Sequence, residues 1–199
     1  MEEREGKFFC IHEITDEVFA RINGVSYREN DMIGREDLRY LRVLHTGFDG
    51  ETHVGELIVN RQIAEDVLSI LRTLYENRYP IEKMLLVDEY GGDDNRSMED
   101  NNSSAFNYRM IAGTTRLSRH SLGLAIDINP RYNPYIRPGE NGAVIVEPSG
   151  SEAYADRHID FAHKIDENDL CYRLFVGHGF TWGGSWNTVK DYQHFQKSI

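Results

Sequence analysis

The segment Leu124-Ala125-Ile126-Asp127-Ile128-Asn129, bracketed by Gly123 and Pro130, leaves the backbone few options. Its apolar residues recur at every second position, which predicts a β-strand with Leu124, Ile126 and Ile128 on one face. Ala125, Asp127 and Asn129 fall on the other. The aliphatic face must pack on a core, so the opposite face offers a carboxylate beside a small residue, with room for a metal ion and a substrate. Pro130 closes the strand. Gly123 permits a sharp entry into it, letting His120 fold back toward Asp127.

The rest of the chain reads as short strands interleaved with a few helices. Turn signals fall at Asn23-Gly24 and Asp49-Gly50. Apolar pieces such as Phe8, Phe9 and Ile11, and Leu38, Leu41, Val43 and Leu44, can pack on a core, and residues 1–50 are expected to form an extension packed on a domain spanning 51–199. Val54 to Val59 reads as a strand. Asn60 is the expected N-cap of a helix whose Ile63, Val67, Ile70, Leu71 and Leu74 share one face. That helix should end near Arg78, because Pro80 disfavours helix just before it. Met84 to Val87 reads as a buried strand, and the polar run Gly91 to Ser104 as a loop. A second long helix is expected over Glu167 to Gly177, with Leu170, Leu174 and Cys171 inward, and a final strand over Tyr192 to Gln196. Without a βαβ rhythm, these elements predict an α+β fold, a small antiparallel sheet with flanking helices.

The 199 residues carry a formal net charge of -11, which repels phosphate backbones and argues against nucleic acid as a partner. No apolar run approaches the ~18 residues of a membrane span. Cys10 and Cys171 lie far apart and outside any CxxC or Cys/His cluster, so thiolate metal binding and dithiol redox chemistry are not expected. Whether they are bridged is left open. The segment Met1 to Cys10 is charged and lacks the apolar core of an export signal. Either the chain stays inside the cell or a signal has been removed ahead of Met1.

Chemistry concentrates in two places. Ser118-Arg119-His120-Ser121-Leu122-Gly123-Leu124-Ala125-Ile126-Asp127 supplies an imidazole and a carboxylate. Trp182-Gly183-Gly184-Ser185-Trp186, followed by Asp191-Tyr192-Gln193-His194-Phe195, supplies another of each. Together they offer three metal ligands and a spare acid, the set that zinc hydrolysis uses: three protein ligands, an open position for water and a nearby base. Two His and one carboxylate also make the facial triad of non-haem iron oxygenases. In those enzymes a single residue usually separates the first His from the acid, whereas six intervene here. Gly183 and Gly184 suit a tight turn better than a phosphate. His158, His163 and His178 lack motif support and are read as non-ligands.

The pattern SxHxxGxAxD, followed by WGGxW and DxxHF, resembles the D-alanyl-D-alanine carboxypeptidase family of zinc peptidases over roughly Asn101 to Phe195. That family takes in wall carboxypeptidases, phage endolysins cutting L-alanyl-D-glutamate bonds and D-Ala-D-Ala dipeptidases, and shares its metal-site architecture with hedgehog signalling domains. The resemblance implies a hedgehog/D-Ala-D-Ala-peptidase-like zinc fold with one Zn2+ on His120, Asp127 and His194. It makes Asp191 the acid/base; some branches place Glu there. Ser104-Ala105-Phe106-Asn107-Tyr108-Arg109 matches a family segment whose arginine, here Arg109, faces the scissile carbonyl. Ser118, Trp182 and Trp186 are candidate substrate contacts, with a turn cap for Ser118 and core packing for the two indoles as the alternatives.

The implied substrate is a peptidoglycan stem peptide or muropeptide. Terminal D-alanine trimming and internal cleavage both stay open, with the Gly91 to Ser104 and Gly139 to Tyr154 segments expected to decide between them. A non-catalytic, hedgehog-like zinc module is the alternative, which the presence of Asp191 and Arg109 disfavours. A wall substrate implies an extracytoplasmic location; a phage lytic enzyme or a cytoplasmic one acting on soluble precursors would also fit.

Overall fold

The computed structural model describes residues 7–111, 114 and 116–199. Its order is β1 (Cys10–Glu13), α1 (Asp16–Ile22), β2 (Leu38–Thr46), β3 (Thr52–Asn60), α2 (Ala64–Glu76), α3 (Asp94–Glu99), β4 (Ala125–Asp127), β5 (Tyr135–Pro138), β6 (Val144–Glu147), α4 (Leu170–Gly177), β7 (Thr181–Trp182), β8 (Lys190–Asp191) and β9 (His194–Gln196), with short 3-10 turns between. The fold is α+β. Among the described residues the strands form three small antiparallel sheets, ordered β1-β2-β3, β4-β9-β7 and β6-β5-β8, where the sequence suggested one.

The first sheet is built on the β2–β3 hairpin, in register from Leu38↔Asn60 to Thr46↔Thr52. Its turn contains Asp49-Gly50, and Gly50 takes the positive φ (79°) that a side chain would resist. Residue 50 therefore lies in a hairpin turn, and strands from both sides of it share a sheet.

Helix α2 packs its apolar face on this sheet. Val67, Ile70, Leu71 and Leu74 are buried in one cluster with Leu41, Val43, Leu57 and Val59. Each such side chain stabilises the fold by roughly 1.5–3 kcal/mol relative to exposure. The helix begins at Ala64, not at Asn60. Asn60 is instead the last residue of β3: its Oδ1 accepts from Gln62 N (3.0 Å) and its Nδ2 donates to Leu122 O (3.0 Å). The side chain thus holds a turn and a neighbouring segment, and the helix starts one turn later. At its end Arg78 takes a positive φ (52°), just ahead of Pro80.

Three further elements differ from expectation. Met84 to Leu86 forms no regular strand and Val87 opens a 3-10 turn; the segment's contacts are single bonds such as Glu56 N to Met84 O (2.8 Å) and Leu85 N to Asn102 Oδ1 (2.8 Å). The polar run from Gly91 contains α3, started by Asp93, whose carboxylate accepts from Arg96 N (3.2 Å). Helix α4 starts at Leu170, capped by Asp169, and buries Cys171 and Phe175 completely while Leu170 and Leu174 stay half-buried. The Phe175 ring stacks on Phe195 of β9 at 4.4 Å between centroids, which joins the C-terminal strands to the same core.

Candidate metal and catalytic site

Strand β4 sits between two partners. It pairs with β9 on one edge (Asp127↔His194), and on the other Asp127 exchanges backbone hydrogen bonds with Ser104 (2.8 and 3.0 Å). Leu124, Ile126 and Ile128 are fully buried in the core, as their alternation predicts. The opposite face is covered too, so Asp127 is only 4% exposed. An ionised carboxylate at such a position needs compensating partners.

His120 and His194 are those partners. His120 lies in a 3-10 turn closed by Gly123, whose φ is +65° and whose hydrogen faces β3; a Cβ there would stand 2.6 Å from Asn60 N. His120 Nδ1 lies 2.5 Å from Ala105 O, and His194 Nε2 lies 3.1 Å from Gln196 Oε1. Both oxygens only accept, so these nitrogens carry protons, and in the neutral rings that a metal ion requires the lone pairs of His120 Nε2 and His194 Nδ1 turn inward.

The inward atoms are 3.1 Å apart. His120 Nε2 lies 3.1 Å from Asp127 Oδ2, and His194 Nδ1 lies 3.0 Å from Asp127 Oδ1. Ligands on a tetrahedral ion with bonds of about 2 Å would be about 3.3 Å apart. Two imidazole lone pairs and a carboxylate oxygen at this spacing fit a divalent cation, and among the described residues they form the one such His/Cys/Asp/Glu group. Protein charges already show the demand. Burial disfavours a charged His194, yet its hydrogen bond and attraction to Asp127 prevail and lift it to about 9. For Asp127, burial is outweighed by the two rings, and the carboxylate is held well below its ordinary range.

A cavity of about 140 Å3 opens on this triad and is also lined by Asp191, Arg109, Ser118 and Trp186. Asp191 is the last residue of β8, paired with Tyr135 of β5, and its Oδ2 stands 4.0 Å from His194 Nδ1. Burial pushes it up to about 7; attraction to His194 opposes the rise, repulsion from Asp127 adds to it, and Arg109 and Gln193 also draw it down. Gly183 makes room for this residue, since a Cβ there would stand 2.6 Å from Asp191 O.

Arg109 reaches the cavity from a segment locked to the His120 turn: Ser121 Oγ accepts from Arg109 N (2.8 Å) and donates to its carbonyl (2.7 Å). The guanidinium pairs with Asp94 at 2.7 Å. Neither Asp94 nor Ser121 is singled out by the sequence. Asp94 belongs to a helix whose only local signal is Asp93 as its cap, and Ser121 is indistinguishable from a motif filler.

The candidate substrate contacts divide. Ser118 lines the cavity and caps the His120 turn, its Oγ accepting from His120 N (3.2 Å). The Trp186 ring lies 5.3 Å from that of His194. Trp182 takes the core alternative: it is 6% exposed, packs on Tyr172 and Tyr192, and donates its indole N–H to Tyr192 O (2.9 Å). Gly184 lies tight against that indole, so no Cβ fits there. His163 stacks on Phe48, and His178 bonds its own helix through Leu174 O; neither joins the triad.

Residues 112–197 match a family model described as D-alanyl-D-alanine carboxypeptidase, the family that the motifs resemble. The matched segment carries His120, Asp127, Asp191 and His194; Arg109 and Asp94 precede it. No curated protein and no solved structure matches the chain. The segment holding the triad is thus similar to a peptidase family.

Proposed function

We propose, with the peptidase family of residues 112–197 as premise, that this protein is a zinc-dependent hydrolase of peptide bonds in peptidoglycan stem peptides. The observation that carries the reading is the convergence of His120 Nε2, His194 Nδ1 and Asp127 within about 3 Å of one another, at the floor of a cavity that also holds Asp191 and Arg109. These three side chains would hold one Zn2+. When bound, the ion supplies a Lewis acid that polarises the scissile carbonyl and acidifies water.

The chain's own residues do the rest. Asp191, held near neutrality by burial, takes a proton from the attacking water and returns it to the departing amine. Arg109, anchored through Asp94, faces the charge that develops on the carbonyl oxygen. Ser118 and Trp186 bound the space beside the reacting bond. The arrangement of small sheets around this centre is read as the zinc-peptidase fold shared with hedgehog domains. A wall substrate places the protein in the cell envelope, exported or delivered as a lytic enzyme; among the described residues no helix is long and apolar enough to cross a membrane.

The test is incubation of tetra- and pentapeptide muropeptides with zinc-loaded protein and with Asp191→Ala, followed by mass spectrometry. Wild type should release either D-alanine or an internal fragment, and the variant neither. Equal inertness of both would return the protein to a non-catalytic zinc module.

A further inference from the structure

Among the described residues, four buried side-chain polar atoms lack a hydrogen-bond partner: Arg109 Nε, Asp191 Oδ1, Gln193 Oε1 and Ser151 Oγ. Three of the four belong to side chains lining the one cavity over the His–Asp–His triad. Orphaned buried polar atoms cost stability, so three around one cavity mark a place built for a ligand that completes them. Two of those residues already have roles in the proposed reaction. Gln193 has none.

Gln193 is 1% exposed and sits between Asp191 and His194, the base and a metal ligand. Its backbone is fixed, since its carbonyl accepts from Ile128 N (3.1 Å) beyond the end of β4. Its amide draws the Asp191 pKa down, so the N–H end faces that carboxylate, and Oε1 is the atom left without a partner. A carboxamide oxygen can only accept, so the missing partner is a donor.

We propose that Gln193 is a substrate-binding residue whose Oε1 accepts a backbone N–H of the bound peptide, pairing with Arg109 Nε as donor to a carbonyl so that the cavity reads both edges of an extended peptide. This rests on the peptidase reading and adds to it a residue that selects amides over esters. Removing the N–H from the ligand would leave the buried oxygen unpaired in the complex as well, and the cost falls on binding.

The test is an ester scan. Stem peptides in which one non-scissile backbone N–H at a time is replaced by oxygen are compared with the parent peptide, by equilibrium binding and by KM and kcat. Wild type should lose about 10- to 100-fold in affinity at one position, expressed in KM with kcat little changed. Gln193→Met should bind the parent about tenfold more weakly and show no further loss at that position. Equal ester penalties in wild type and Gln193→Met would overturn the assignment and leave the peptidase reading intact. If Gln193→Met fails to fold, the wild-type scan decides alone: no penalty at any position overturns it. Normal binding without cleavage by wild type would defeat the peptidase reading while the Gln193 comparison stays readable from binding constants. Neither binding nor cleavage overturns both.

Discussion

The β1-β2-β3 sheet with α2 and the β4-β9 pair with its cavity are both thoroughly buried, yet they are buried with different materials. Val67, Ile70, Leu71 and Leu74 meet Leu41, Val43, Leu57 and Val59, and nothing polar needs answering there. Around β4 the enclosed groups are Asp127, His120 and His194, with Asp191 and Gln193 beside them. Apolar burial is self-sufficient. Charged burial is stable only with partners, so it stores a demand that a cation and a substrate can meet. The first region should govern whether the chain folds and the second what it does.

The largest effect should come from breaking the triad. Asp127→Asn or His120→Ala is expected to abolish stoichiometric zinc binding and to lower hydrolysis by more than about 10^3-fold; metal content by mass spectrometry alongside muropeptide turnover checks it. Next, Asp191→Asn should cut kcat by about 10^2–10^4 while leaving zinc content unchanged. The same change should make the metal-free protein more stable at pH 8. The Asp191 carboxyl is raised from its ordinary value to about 7, so its contribution is full below about pH 4 and is lost as pH rises through 7. Melting curves of the metal-free proteins should therefore diverge at pH 8 and coincide at pH 4.

A change in the apolar region should do the opposite. Phe175→Ala, which empties the stack on Phe195, is expected to cost about 3–5 kcal/mol in denaturant unfolding and to leave zinc stoichiometry intact in the fraction that remains folded. Asp94→Asn is a smaller and sharper probe. It frees the Arg109 guanidinium from its 2.7 Å partner and should lower kcat/KM about tenfold, with zinc content and melting temperature nearly unchanged. The smallest effect is expected at His45, whose pKa burial lowers. Its neutral form is favoured in the fold, so stability is full above about pH 6.5 and declines below it. His45→Gln should flatten that acid limb slightly in melting scans between pH 7 and 5.

The same contrast explains what is visible in the sequence. Helix α2 is legible because a 3.6-residue period is written in apolar residues, and β4 because its alternation is flanked by Gly123 and Pro130. His120, Asp127 and His194 are legible as chemistry, since few other reasons bring two imidazoles and two acids into short motifs. The start of α2 is not, because Asn60 suits a helix cap and a turn equally well, and only the neighbouring Leu122 carbonyl decides between them. Helix α3 is hidden by its six residues and polar composition. Trp182 is ambiguous because an indole gives the same signal at a cleft wall and in a core. Asp94 and Gln193 matter through what lies across the cavity, and no local pattern records that.

The contact between Gly123 and β3 bears on how the protein can be divided. Asn60 N donates to Gly123 O at 2.8 Å, Asn60 Nδ2 holds Leu122 O, and Phe106 N bonds Ile58 O at 3.1 Å. The turn presenting His120 is thus riveted to a hairpin that lies wholly outside the family-matched residues. A fragment cut to the matched stretch would carry His120, Asp127 and His194 and lose the frame that aims them. The candidate ligands lie within the family-like motifs, but their arrangement is a property of the longer chain.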